Sequence, residues 1–205
     1  MKTTLFLILF LTSTISFSLE PFAVTSYSVA TLYKEAKELI QEKKYDKAIE
    51  KLKICQQTKR CSSKLIELYS TVGELKNIQL VEKYTEIAFS MGEDKVYHNL
   101  AVLYYKENNI TKAKEFFQKS GEAKIYESLF NLGQIFEKEN NIAQAIKNYK
   151  IASEHNISEG DYSLGVLYYK HKNINKSLFY FNKAKKQGYK PADKALKSIT
   201  NAIAH

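Results

Sequence analysis

Proline and glycine are scarce in this chain: two prolines and seven glycines in 205 residues, nowhere gathered into a Pro-rich or Gly/Ser-rich stretch. No linker therefore divides the sequence into separate domains. Arginine is scarcer still, because Arg60 is the one arginine beside thirty lysines. Nucleic-acid readers cluster arginine on one face, so a net charge of +9 carried by lysine does not imply a nucleic-acid partner. It implies a solvated surface, with at most weak attraction to an anionic membrane or wall polymer. Four scattered histidines, His98, His155, His171 and His205, have no thiol or carboxylate at ligand spacing, and no His-Glu-x-x-His occurs. Neither a metal centre nor a cofactor site is expected. No strand precedes a glycine-rich loop, which excludes a phosphate or dinucleotide cradle.

Long apolar runs are missing after the first eighteen residues, so no transmembrane span is expected. The exception lies at the start. Lys2 supplies a minimal positive charge, Leu5 to Phe17 has the length of a signal-peptide apolar region, and Ser16-Phe17-Ser18 places small residues where a signal peptidase reads. This predicts a signal peptide over 1–18, cut after Ser18, a short segment over 19–26, and a soluble exported protein, periplasmic or secreted.

What the chain does have is a phrase that returns every 32 residues: KENNI at 106–110, KENNI at 138–142 and KHKNI at 170–174. One step back lies Lys76-Asn77-Ile78, and a further step, stretched by one residue, reaches Lys43-Lys44-Tyr45. A fixed period of this size marks an array of small units, each able to bury its apolar face only against its neighbours. Each unit reads as two helices. In the third, Tyr97, Leu100, Ala101, Leu103 and Tyr104 share helical spacing, Asn108-Asn109 breaks the pattern, and Thr111 is the expected N-cap of a second helix. That second helix buries Ala113, Phe116 and Phe117 and is expected to end at Ser120-Gly121.

The predicted fold is all-α: about five antiparallel helix pairs, near 27–57, 62–90, 94–119, 123–155 and 159–187, with a capping helix at 191–203, forming one solenoid over 27–205. Two columns of small residues run through the units. Ala36, Ala101, Gly133 and Gly165 hold one position of the first helices, and Ala48, Val81, Ala113, Ala145 and Ser177 hold one of the second. Small residues there let helices approach closely, and the large Leu39, Val72, Tyr104, Phe136 and Tyr168 fill the space beside the first column. Tyr69 interrupts it, so the second unit is either shifted in register or packed differently.

Leu132-Gly133 and Leu164-Gly165, each followed closely by an aromatic, together with Lys183-Ala184-Lys185-Lys186-Gln187-Gly188 leading to Ala192 and Leu196, resemble the Sel-1-like repeat (SLR), a relative of the tetratricopeptide repeat (TPR). Tyr45-Asp46-Lys47-Ala48-Ile49 is more similar to a TPR. The resemblance implies a right-handed superhelix that presents a concave groove to a protein or peptide partner, here a monomeric, non-enzymatic scaffold of the bacterial envelope. The groove wall would come from the first helices, at positions three before, one after and four after the small column. Those positions hold Tyr33, His98, Phe130 and Tyr162; Val102, Gln134 and Val166; and Tyr105, Glu137 and Tyr169. An aromatic row of this kind can clamp a peptide, whereas the plainer reading has the same rings filling gaps between repeats.

Cys55 and Cys61 sit at the end of one helix and the start of the next. In an oxidising compartment they can pair, and otherwise they remain two buried thiols. Lys53-Ile54-Cys55 also resembles, distantly, the Helicobacter cysteine-rich SLR proteins, a group linked to penicillin binding and β-lactamase activity. That resemblance implies an alternative, a binder or weak hydrolase of cell-wall or penicillin-like ligands. The chain lacks Ser-x-x-Lys, Ser-Asp-Asn and Lys-Thr-Gly, the elements a serine β-lactamase needs.

Overall fold

The computed structural model describes residues 26–204. The predicted signal peptide and its cleavage point lie outside the described residues. Among the described residues there are eleven α-helices and no strand. The first repeat is α1 (Ser26–Gln41) with α2 (Tyr45–Ile54), and the second is α3 (Lys59–Thr71) with α4 (Ile78–Ser90), joined through a single 3-10 turn at Gly73–Leu75. The third and fourth are α5 (Val96–Lys106) with α6 (Ile110–Glu122), and α7 (Tyr126–Lys138) with α8 (Ile142–Glu154). The fifth pairs α9 (Ser158–Lys170) with α10 (Ile174–Lys186), and α11 (Lys190–Ala204) closes the series. The principal contacts run between consecutive helices, so the hairpins stack in sequence order.

The recurring phrase is a helix stop fused to a helix start. Asn108, Asn140 and Lys172 adopt left-handed backbone, with φ of 58°, 59° and 59°. Their N–H groups, and those of the residues that follow, return to the last carbonyls of the first helix: Asn108 to Tyr105 at 3.1 Å and Asn109 to Tyr104 at 2.9 Å. This pair of hydrogen bonds is a Schellman cap. The next residue turns the chain around, since Asn109, Asn141 and Asn173 each accept a side-chain hydrogen bond from the N–H three residues on. Asn77 does the same for α4. Thr111 was the expected N-cap of α6, and the structure gives that role to Asn109, because the capping oxygen must stand before Ile110 to reach the free N–H of Lys112. Nor does α6 stop at Ser120-Gly121. It runs to Glu122, and Gly121 serves packing: a Cβ there would lie 2.3 Å from the Leu129 side chain.

Burial follows the two small columns. Ala36, Ala101, Ala48, Ala113, Ala145 and Ser177 are fully buried, and Val81 is nearly so. The first column is small because an aromatic ring of the second helix lies against it. A Cβ on Gly133 would meet the Tyr149 ring at 2.6 Å, and one on Gly165 would meet Phe181 at 2.7 Å. Sixteen residues separate the members of each pair, and the same offset relates Ala36 to Leu52, Ala101 to Phe117 and Tyr69 to Thr85. In the second repeat the sizes are therefore exchanged. Tyr69 is large and Thr85 small, both are buried, and Tyr69 stacks on Tyr84 with centroids 5.9 Å apart. That repeat keeps its register and packs differently.

Cys55 and Cys61 form a disulfide across the turn from α2 to α3, with Cα atoms 5.8 Å apart. Farther along, repeats are tied by polar contacts reaching back about one period. Lys112 pairs with Glu82, Lys119 with Glu86, Lys76 with Glu107 and Lys170 with Glu137. Most are solvent-exposed and each contributes about 0 to 1 kcal/mol. Glu82 is more deeply engaged. Burial works against its charge, but hydrogen bonds from Tyr104 and Lys112 and the nearby ammonium groups outweigh it, holding its pKa below the ordinary glutamate value.

Candidate peptide-binding face

The first helices α3, α5, α7 and α9 lie one period apart, and open clefts run between them. Between α5 and α7 is a cleft of about 260 Å³. Its apolar floor is Val102, Phe117 and Ile135, and its rim is Tyr105, Asn131, Gln134 and Lys138. The neighbouring cleft, toward α3, shares Val102 and adds Asn99 and Lys106. The one toward α9 shares Gln134 and Lys138 and adds Glu137 and Ser163. Shared lining sets the three side by side along the same face.

The geometry sorts the expected groove residues by stripe. Val102, Tyr105 and Gln134 meet in one cleft, Glu137 borders the next, and Tyr169 is 46% exposed. The residues three before the small column face neighbouring side chains instead. His98 turns edge-on to Phe117 and its Nδ1 lies 2.8 Å from Ser128 Oγ, which donates on to Ser120 at 2.7 Å. Phe130 packs on Tyr149, and Tyr162 packs between Phe181 and Tyr189. Val166 joins the apolar cluster beneath α11. Tyr33 lines a separate cleft with Lys59, Arg60 and Glu67.

Electrostatics divide the face further. The Lys138 ammonium lies 5.2 Å over the Tyr105 ring and donates to the Tyr105 hydroxyl, so ring and charge form one rim unit. Glu137 accepts from Tyr149 at 2.9 Å and pairs with Lys170 at 3.2 Å, leaving its charge largely compensated. Burial, then the hydrogen bond to Glu137, pushes the Tyr149 hydroxyl well above the usual tyrosine range, so it stays protonated and donating. The pKa of His98 is lowered, chiefly by burial; Glu127 opposes that and Lys95 assists it. The face thus offers apolar area, amide groups able to pair with an extended backbone, and unspent lysine charge. Asn99, Asn131, Lys106 and Lys138 escaped the three-stripe rule. The period itself contains the signal, because Asn99 and Asn131, and Lys106, Lys138 and Lys170, recur at 32 residues.

The fold and this face define an α-solenoid of the TPR and SLR class. Residues 94–123 and 126–152 match the tetratricopeptide repeat family model, so the chain carries TPR units in its third and fourth hairpins. Among solved structures, it is similar to a Sel1 repeat protein from Oxalobacter formigenes, at 17% identity over 83% of this chain and 78% of that one, with a TM-score of 0.56. It also resembles a protective antigen of uropathogenic Escherichia coli strains that displays an SLR fold, at 21% identity and a TM-score of 0.56, covering 85% of this chain and 42% of that one. YrrB, a TPR protein with an unusual peptide-binding site, is 18% identical with a TM-score of 0.52, over 81% of this chain and 90% of that one. At these identities the likeness establishes a shared fold. No curated protein sequence matches the chain.

Proposed function

We propose that this protein is a non-enzymatic scaffold that binds an extended peptide or a partner segment along the first-helix face, in the bacterial envelope. The carrying observation is the cleft between α5 and α7, where an apolar floor is bordered by Tyr105, Asn131, Gln134 and Lys138. Such a cleft takes one apolar side chain, while the rim amides pair with the backbone on either side of it. Val102, Tyr105, Gln134, Glu137 and Tyr169 are the residues assigned to contact. His98, Phe130, Tyr162 and Val166 support the wall from behind. Export after removal of residues 1–18, leaving one solenoid domain over 27–205, is supported by the N-terminal sequence and by the disulfide, which persists in oxidising compartments. The same two features support a periplasmic or secreted location. That a fold-mate is an antigen of a pathogen is consistent with it.

Selection from a random peptide library displayed on phage tests the groove, with Tyr105→Ala and Val102→Glu as comparison proteins. Peptides enriched on wild type should lose at least about tenfold in affinity on either variant, since truncating a central hot-spot aromatic costs about 2 kcal/mol or more. Equal retention on all three proteins would remove the groove from the proposal. Turnover of a chromogenic β-lactam by the wild-type protein would overturn its non-enzymatic part.

A further inference from the structure

The lysines are not evenly spread along the chain. Residues 170–205 hold nine lysines and one acidic residue, Asp193, a net +8 of the chain's +9. Residues 26–169 hold 21 basic and 20 acidic residues and are nearly neutral. The charge therefore sits at one end of the stack: α10 and α11 hold seven of the nine lysines, with Lys170 and Lys172 just before them. Four of the nine are engaged: Lys170 with Glu137, Lys183 with the buried Asp161, Lys185 with Asp193, and Lys176 over the Tyr168 ring at 5.1 Å. Among the described residues no carboxylate lies within ion-pair distance of Lys186, Lys190, Lys194 or Lys197, and all four are exposed.

An apolar residue stands within this charge. Phe179 is 62% exposed, the most exposed large apolar side chain among the described residues. Spacings of three and seven residues put Lys176, Phe179 and Lys186 on one face of α10. On α11, Lys190, Lys194 and Lys197 share a face opposite the buried Ala192 and Ile199. Lysine without arginine suits a diffuse negative plane better than bidentate recognition of single phosphates or carboxylates. Packed helices are about 10 Å apart, which matches the screening length at about 0.1 M salt, so charges on both can act on one plane together.

We propose that α10 and α11 form a docking surface for an anionic phospholipid bilayer, with lysines held at the headgroups and Phe179 entering the interface. The chain would then stand on its C-terminal end, with the clefts between α3, α5, α7 and α9 open to a partner. This docking does not depend on what the clefts bind.

The test uses the full chain and sedimentation with vesicles of mixed phosphatidylglycerol and phosphatidylcholine, against phosphatidylcholine alone. Two variants are compared, Phe179→Ser and the quadruple Lys186→Gln, Lys190→Gln, Lys194→Gln, Lys197→Gln. Each lysine at such a surface strengthens partitioning roughly fivefold, so the quadruple variant should lose nearly three orders of magnitude, about 600-fold, on anionic vesicles. Phe179→Ser should lose several-fold, and added salt should weaken wild type far more than the quadruple variant. All three proteins carry the same N-terminal apolar run, so differences among them report on α10 and α11. Quadruple-variant binding equal to wild type would overturn the proposal. So would wild type that fails to sediment with anionic vesicles yet is retained by immobilised polyglutamate or DNA, an outcome that assigns the surface to an acidic macromolecule.

Discussion

Replacing Gly133 by alanine should destabilise the protein, although glycine to alanine within an exposed helix ordinarily stabilises by about 1 kcal/mol. The sign reverses because the new methyl would lie 2.6 Å from two atoms of the Tyr149 ring. That ring is 1% exposed, its hydroxyl is held by Glu137 at 2.9 Å, and Phe130 packs against it with centroids 5.8 Å apart. It has little room to yield. Overpacking of a buried site costs about 1 to 3 kcal/mol, and a ring fixed at both ends belongs near the upper limit. Set against the helical gain, the net loss is about 2 kcal/mol. For a chain of this size that lowers Tm by about 4 to 8 °C. The double variant Gly133→Ala, Tyr149→Leu reproduces the Ala36 and Leu52 pair of the first repeat, and should be no less stable than Tyr149→Leu alone. A double-mutant cycle by thermal and urea unfolding, followed by helical circular dichroism, should give a coupling of about 2 kcal/mol. A Tm raised by Gly133→Ala, or two effects that simply add, would refute the account of the small column.

Removing the disulfide with Cys55→Ser and Cys61→Ser frees a short loop and should cost about 2 kcal/mol, read as a lower urea midpoint that wild type reproduces only in reductant. His98 links stability to pH. Because its folded pKa is depressed, chiefly by burial, the unfolded chain takes up the proton first as pH falls through about 6.5. Stability is then full at neutral pH and falls on acidification, and His98→Gln should flatten that slope in urea midpoints measured between about pH 8 and about pH 5.5. Asp161 is fully buried and takes hydrogen bonds from Ser153 and Gln187 as well as the Lys183 ion pair. Asp161→Leu strands those donors, and with Lys183 still partly in water the cost should be about 2 to 3 kcal/mol, visible in the same unfolding assay.

Helix order and the two small columns were legible because a 32-residue period lets five noisy copies correct one another. Local chemistry inside each copy was less so. Thr111 and Asn109 are both good caps, and only the position of Ile110 as the first helical residue decides between them. Gly121 carries the composition of a stop and the role of a contact, a distinction that depends on Leu129 from the next helix. On the candidate face, Val102, Tyr105, Gln134 and Glu137, one or four after the small column, reach the clefts, whereas Val166 packs beneath α11. At the position three before it, His98, Phe130 and Tyr162 each meet an aromatic supplied by a following helix, as Phe130 meets Tyr149, and Tyr33 lines a separate cleft. Sequence spacing fixes which residues share a helix face. It does not fix how far the neighbouring helix covers that face.

The exchange of sizes between Tyr69 and Thr85 is settled within a single hairpin, and each Asn-capped turn closes its own hydrogen bonds without help from elsewhere. A gene built this way tolerates unequal recombination: a slip of one whole period removes or duplicates a unit whose turns are closed within it and whose apolar faces meet the same kind of neighbour on either side. Length is then the property such an array changes most readily.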